Sequence, residues 1–180
     1  MTPDRTLEVR WFLPGAIPET AAAWFDSLGP DVTPESRTDR YLVPTESADL
    51  GLKVREGRVE AKQRTRTLHA TLANGRVEAW RKWSLGTADA HPEPGWLSVA
   101  KTRRQRHVRV AGRARCSLEL AALTVGGEPW WSVCLEASGE TAAARWRALR
   151  AGARRWNVGE LTLPPEASKG YPEWLRAWGG

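Results

Sequence analysis

Seven basic residues, Lys53, Arg55, Lys62, Arg64, Lys82, Lys101 and Arg103, recur at alternating positions among five glutamates, Glu8, Glu60, Glu78, Glu119 and Glu136. Such cations bind phosphate oxygens, the guanidinium groups in a two-pronged fashion. Carboxylates interleaved with them can neutralise the cations or hold a divalent metal through oxygen. Other chemistries lack their signatures, since GxSxG, Walker A, GxGxxG and HExxH patterns are all absent. His69, His91 and His107 share no spacing and are read as non-catalytic. Cys116 and Cys134 have no CxxC or histidine partner spacing and read as buried free thiols.

The elements that must position these charges are mostly strands. In Gly51 to Arg64 strict alternation puts Leu52, Val54, Val59 and Ala61 on one face and Lys53, Arg55, Arg58, Glu60, Lys62 and Arg64 on the other. A two-residue turn at Glu56-Gly57 sets Lys53 opposite Glu60 and Arg55 opposite Arg58. The same periodicity predicts strands over Leu7–Leu13 (Glu8, Arg10 and Phe12 sharing a face), Arg40–Val43, Arg76–Ser84, Leu97–Val110, Cys116–Val125 and Pro129–Ala137. In the third of these runs, Trp80 shares a face with Glu78 and Lys82. Helices are predicted from Pro18 to about Leu28, from about Glu140 to Trp156 with Trp146, Leu149, Ala153 and Trp156 as its stripe, and as a final turn at Tyr171–Leu175. The clearest surface loop runs from Gly86 to Gly95.

Composition bounds the class. A chain of 180 residues with 41% hydrophobic residues reads as a single domain over 1–180, with enough length for a proper core. No apolar run approaches the ~20 residues of a membrane helix, and no signal-peptide core follows Met1, so a cytoplasmic protein without a membrane partner is expected. The formal charge of +6 suggests an anionic partner.

About eight strands with a mixed basic and acidic face pose a problem of sheet edges. Closing the sheet removes the edges and turns the charged face into a lining, where each cation must be matched by an acid or an anionic ligand. The expected fold is therefore α+β and mostly antiparallel β, an eight-stranded closed or nearly closed β-barrel with flanking helices. Its natural guest is a polyphosphate accompanied by a divalent cation.

In order and parity, these stretches resemble the CYTH superfamily of triphosphate tunnel enzymes. The stretches are Leu7 to Leu13, Asp39-Arg40-Tyr41-Leu42, Leu52 to Gly57, Glu60-Ala61-Lys62, Val77 to Trp83, Lys101-Thr102-Arg103, Leu118-Glu119-Leu120, Leu135-Glu136 and Tyr171 to Leu175. The resemblance implies a tunnel that binds a triphosphate-containing or inorganic polyphosphate ligand and hydrolyses it with Mg²⁺ or Mn²⁺. Lys53, Arg55, Lys62, Lys101 and Arg103 would correspond to phosphate-binding bases, with Arg10, Arg64 and Lys82 as further candidates on the same lining. Glu8, Glu60, Glu119 and Glu136 would hold metal, and Glu8, Glu119 and Glu136 would be catalytic.

The family's first-strand hallmark, Glu-x-Glu-x-Lys on one face, reads here Glu8, Arg10 and Phe12. A carboxylate is replaced by a base and the lysine by an aromatic ring, which weakens a metal site and favours phosphate. Trp80 would narrow the tunnel, pack, or offer a ring for stacking. The alternative reading is non-catalytic binding of a phosphate ligand or of RNA, because Lys101 to Arg115 holds seven Lys/Arg and no acid.

Overall fold

A computed structural model describes residues 2–43, 47–87, 95–110, 112–156 and 161–178. Eight strands, β1 (Asp4–Pro14), β2 (Glu35–Leu42), β3 (Leu50–Arg55), β4 (Arg58–Leu72), β5 (Gly75–Thr87), β6 (Trp96–Arg109), β7 (Arg115–Val125) and β8 (Glu128–Ser138), close into one antiparallel barrel. Their order around it is β1-β5-β4-β3-β2-β6-β7-β8. Helices α1 (Glu19–Ser27), α2 (Ala142–Trp156) and α3 (Tyr171–Leu175) complete the fold. Among the described residues, no helix is long and apolar enough to cross a membrane. Most of the Gly86–Gly95 loop lies outside the described residues, as does His91.

Local chemistry accounts for the hairpins. The β3–β4 turn has φ of 49° at Glu56 and 73° at Gly57, and the β7–β8 turn has 57° and 85° at Gly126 and Gly127. Two successive positive φ values match the right-handed strand twist, and glycine adopts them without steric cost. The β4–β5 turn uses Ala73 and Asn74 in the same region. The expected pairs Lys53 with Glu60 and Arg55 with Arg58 are both present.

Two strands extend beyond the sequence expectation. β2 begins at Glu35 rather than Arg40, because its polar first half is held across from β6, with Glu35 opposite Arg103 and Arg37 opposite Lys101. β4 continues to Leu72 through irregularities in its pairing with β5.

The barrel buries apolar surface in two places. On the outside, Leu7, Val9 and Trp11 of β1, Leu118 and Leu120 of β7, and Val133 and Leu135 of β8 meet Trp24, Phe25, Leu149 and Trp156 from α1 and α2. Each such side chain contributes about 1.5–3 kcal/mol when fully buried. The helix approaches closely at Gly152, where a Cβ would lie 2.4 Å from Cys116 Sγ. Within that predicted stripe Trp146 is only half-buried.

Inside, one end of the lumen is apolar. Phe12, Tyr41, Val99, Ala121 and Leu123 point inward around Trp174 and Leu175 of α3. Phe12 and Trp174 stack at 4.3 Å between centroids, and Tyr41 stacks on Tyr171 at 5.1 Å. The chain's C-terminal helix is thus a floor that fills one mouth of the barrel.

Candidate functional site

Above that floor the inward face of every strand is charged or polar. It encloses a cavity of about 270 Å³. Nine Lys or Arg side chains line it: Arg10, Arg37, Lys53, Arg55, Lys62, Lys82, Lys101, Arg103 and Arg115. Among the described residues, only Glu60, Glu119 and Glu136 oppose them on the wall. Counting the buried Glu8 and Asp39 behind the wall and the rim carboxylate of Glu35 brings the acids to six, which leaves three cations in excess. The far rim carries His107, Ser117 and Arg115, and burial together with Arg115, Arg109 and Arg103 lowers the His107 pKa.

Four carboxylates organise the cations. Asp39 of β2 is 1% exposed. It accepts two hydrogen bonds from the Arg55 fork, both 2.9 Å, and the Lys53 ammonium lies 3.4 Å away. Glu60 of β4 stands 3.0 Å from Lys53 Nζ and 3.1 Å from Lys82 Nζ. Glu119 of β7 accepts from Arg10 Nη1 at 2.9 Å, Lys101 Nζ at 2.6 Å, Arg103 Nη1 at 3.2 Å and Gln105 Nε2 at 3.0 Å. Arg10 Nε also donates to Glu8 Oε1 at 2.7 Å, and Lys62 Nζ donates to Glu8 Oε2.

Electrostatics follow from these pairs. Burial alone would raise the carboxyl pKa values, but Lys62 and Arg10 bring Glu8 down to about 2. Against the same burial penalty, Lys53 and Arg55 bring Glu60 down to about 2. The cations beside Asp39 and Glu119 hold both below the usual carboxylate range. Lys53 goes the other way: burial pushes its ammonium down to about 8 although Asp39 is adjacent.

Most candidates from the sequence converge on this cavity: Arg10, Lys53, Arg55, Lys62, Lys82, Lys101 and Arg103 with Glu60, Glu119 and Glu136 on its wall, and Glu8 just behind. Arg64 is elsewhere. Its guanidinium joins Glu78 at 2.5 Å and Glu173 at 2.9 Å, tying β4 and β5 to α3. Trp80 is 2% exposed beneath Lys62, whose ammonium sits 4.9 Å from its ring, and it abuts Gly170. It is a packed wall residue, with no face open for a stacking ring. From the sequence, Asp39 enters only within the Asp39-Arg40-Tyr41-Leu42 stretch with no role at the site, and Arg37 is not singled out, since the ESRTD run that carries them has no apolar alternation. The inward parity of Asp39 with Tyr41 is the one signal that could have found it.

The donor set is poorly arranged for a divalent metal. Both oxygens of Glu8 and both of Glu119 already accept from cationic or amide groups, and Arg10 lies between the two carboxylates. Glu8, Cys134 and Glu136 do bring one ligand atom each within 4.8 Å. However, burial raises the Cys134 thiol pKa, and a neutral thiol is a poor partner for the oxygen-seeking Mg²⁺ or Mn²⁺. Glu136 alone of the four expected metal ligands has no hydrogen bond or ion pair among the described residues. The residues present do not fit a divalent site.

The basic run Lys101 to Arg115 does not form one surface. Lys101 and Arg103 face the lumen, whereas Arg104 pairs with Asp26 at 2.5 Å and Arg106 donates to backbone carbonyls of Phe25 and Pro30. Both cysteines are free and buried. Compared with known proteins, the chain matches no family model and no curated protein, so what the lumen does is decided by its own chemistry: a barrel closed by an aromatic floor and charged with more bases than acids.

Proposed function

We propose that this barrel binds a short polyphosphate in its lumen, either free or as the triphosphate end of an organic molecule. The observation that carries this reading is the excess of three cations around one enclosed cavity. Half-buried cations that outnumber their acids repel one another, and an anion of several charges relieves that repulsion. Lys53, Arg55, Lys62, Lys82, Lys101 and Arg103 are the groups that would contact phosphate oxygens. Their carboxylate partners hold them in place in advance, which lowers the ordering cost of binding. The resemblance of the sequence stretches, in order and parity, to the triphosphate tunnel enzymes points the same way.

Binding rather than cleavage is the activity this site favours. Phosphoryl transfer to water needs a group that orients the water and positive charge that offsets the negative charge growing on the leaving oxygen. Glu8 and Glu119 are held by cations and are poor proton acceptors. The RNA reading loses its main support with the dispersal of the Lys101–Arg115 run.

Calorimetric titration with inorganic tripolyphosphate, with released phosphate assayed in the same samples, tests the proposal. Binding without release is expected. Replacing Lys53 and Arg55 together by alanine removes two charged contacts worth about 1.5–3 kcal/mol each, so affinity should fall at least about a hundredfold. An unchanged affinity in a double variant that retains its circular dichroism, or no binding by the parent at moderate salt, would sink the reading.

A further inference from the structure

Arg10 is, with Lys101, among the cations least available to a ligand. Its side chain is 6% exposed, with Nε bonded to Glu8 at 2.7 Å and Nη1 bonded to Glu119 at 2.9 Å. The guanidinium also faces the Tyr171 ring, 5.0 Å from its centroid. Glu8 and Glu119 come from β1 and β7, separated by β8 in the barrel wall, and only this side chain joins them among the described residues. A metal bridging two carboxylates would make the same connection. It would need their oxygen lone pairs at about 2.1 Å for Mg²⁺, and it would have to sit beside a permanent positive charge.

We infer that Arg10 is a covalently attached substitute for a bridging divalent ion, so that the lumen takes its polyphosphate without metal, and that removing the guanidinium frees a Glu8 oxygen and uncovers a Mn²⁺ site made by Glu8 and Glu136. The part concerning polyphosphate rests on the lumen-binding reading above; the part concerning Mn²⁺ does not. Arginine stays charged at any pH a folded protein tolerates and cannot be chelated. Ligand capture would therefore be insensitive to the divalent ion supply. Glu136 strengthens the inference, since this carboxylate has no ion pair among the described residues and lies within 4.8 Å of Glu8. It is the acid free to join a metal once Arg10 is gone.

Two measurements test this on the full chain. Mn²⁺ is titrated into the protein without phosphate, and bound ion is read by loss of the free-ion electron paramagnetic resonance signal. No stoichiometric uptake is expected for the parent or for Arg10→Lys, and one ion per chain for Arg10→Ala. Tripolyphosphate is then titrated calorimetrically into the parent in EDTA and in excess Mg²⁺, with affinities expected within about threefold of each other. Stoichiometric Mn²⁺ uptake by the parent, or a tenfold gain in tripolyphosphate affinity on adding Mg²⁺, overturns the inference while leaving lumen binding intact. A folded Arg10→Ala protein that takes up no Mn²⁺ overturns the latent site. No tripolyphosphate binding in either condition defeats the lumen reading, and the Mn²⁺ titration still decides the role of Arg10.

Discussion

Replacing Glu119 by glutamine should destabilise the protein yet improve its grip on polyphosphate. Four side chains donate to this carboxylate, and two of them, Arg10 and Lys101, have side chains only 6% and 5% exposed. Removing one partner of a buried ion pair costs about 3–5 kcal/mol, because the other charge stays desolvated. Glutamine retains one acceptor oxygen, which places the expected cost near the low end, about 3 kcal/mol. With a urea dependence of about 2 kcal/mol per molar, the unfolding midpoint should drop by about 1.5 M. The same change removes a negative charge from the cavity proposed to take an anion and frees Lys101 and Arg103 to face it. Tripolyphosphate should then bind about tenfold more tightly, equivalent to about 1.4 kcal/mol. At a hundred times its dissociation constant the ligand should restore about 2.7 kcal/mol to the variant. Urea unfolding with and without tripolyphosphate, beside direct titration, reads both effects. A weaker affinity in Glu119→Gln would refute the charge-balance reasoning, because that is the outcome for an acid that holds a bridging metal.

Titration supplies a second expectation. Lys53 has a folded pKa of about 8, below its unfolded value of about 10.4, so protonating it costs folding stability in full below pH 8 and not at all above about 10.4. Ligand affinity runs oppositely and should fall as pH rises from 7 to 9.5; a flat affinity profile at constant ionic strength would exclude Lys53 from the contact set. Glu8 and Glu60, at about 2 when folded, contribute stability that is present above about pH 4.5 and is lost toward pH 2. Their loss should lower the melting temperature at pH 3 relative to pH 6, and equal melting at both would contradict the ion pairs described. Trp174, 2% exposed and stacked on Phe12, should cost about 3–5 kcal/mol when cut to alanine. A loss under about 1 kcal/mol in urea unfolding would mean that the helical floor is not seated as described.

The strands that carry the site were legible where apolar and charged residues alternate over six or more positions. Glu8 with Arg10, Lys53 against Glu60, and Glu119 with Glu136 follow from parity and one turn. Closure followed from the cost of open edges. Asp39 was harder to find, because its partners Arg55 and Lys53 lie on another strand and the polar run around it resembles a loop. The role of Arg10 was also hidden. Parity placed it on the lining, but only the barrel's closure brings Glu119 to its other side, 109 positions along the chain. Tyr171 to Leu175 read as a helical turn against the body, and no local feature says that it fills a mouth of the tunnel.

The aromatic floor has a consequence for how a polymer would be counted. A tube open at both ends could be threaded and would slide along a long polyphosphate, meeting as many sites as there are residues in the polymer. Filled at one end by Trp174 and Tyr171, a lumen that binds polyphosphate would take a chain by its terminus and release it by the same rim. Occupancy would then follow the molar concentration of chain ends. At equal total phosphate, a sample of long polymers would appear dilute to this protein and a sample of short ones concentrated.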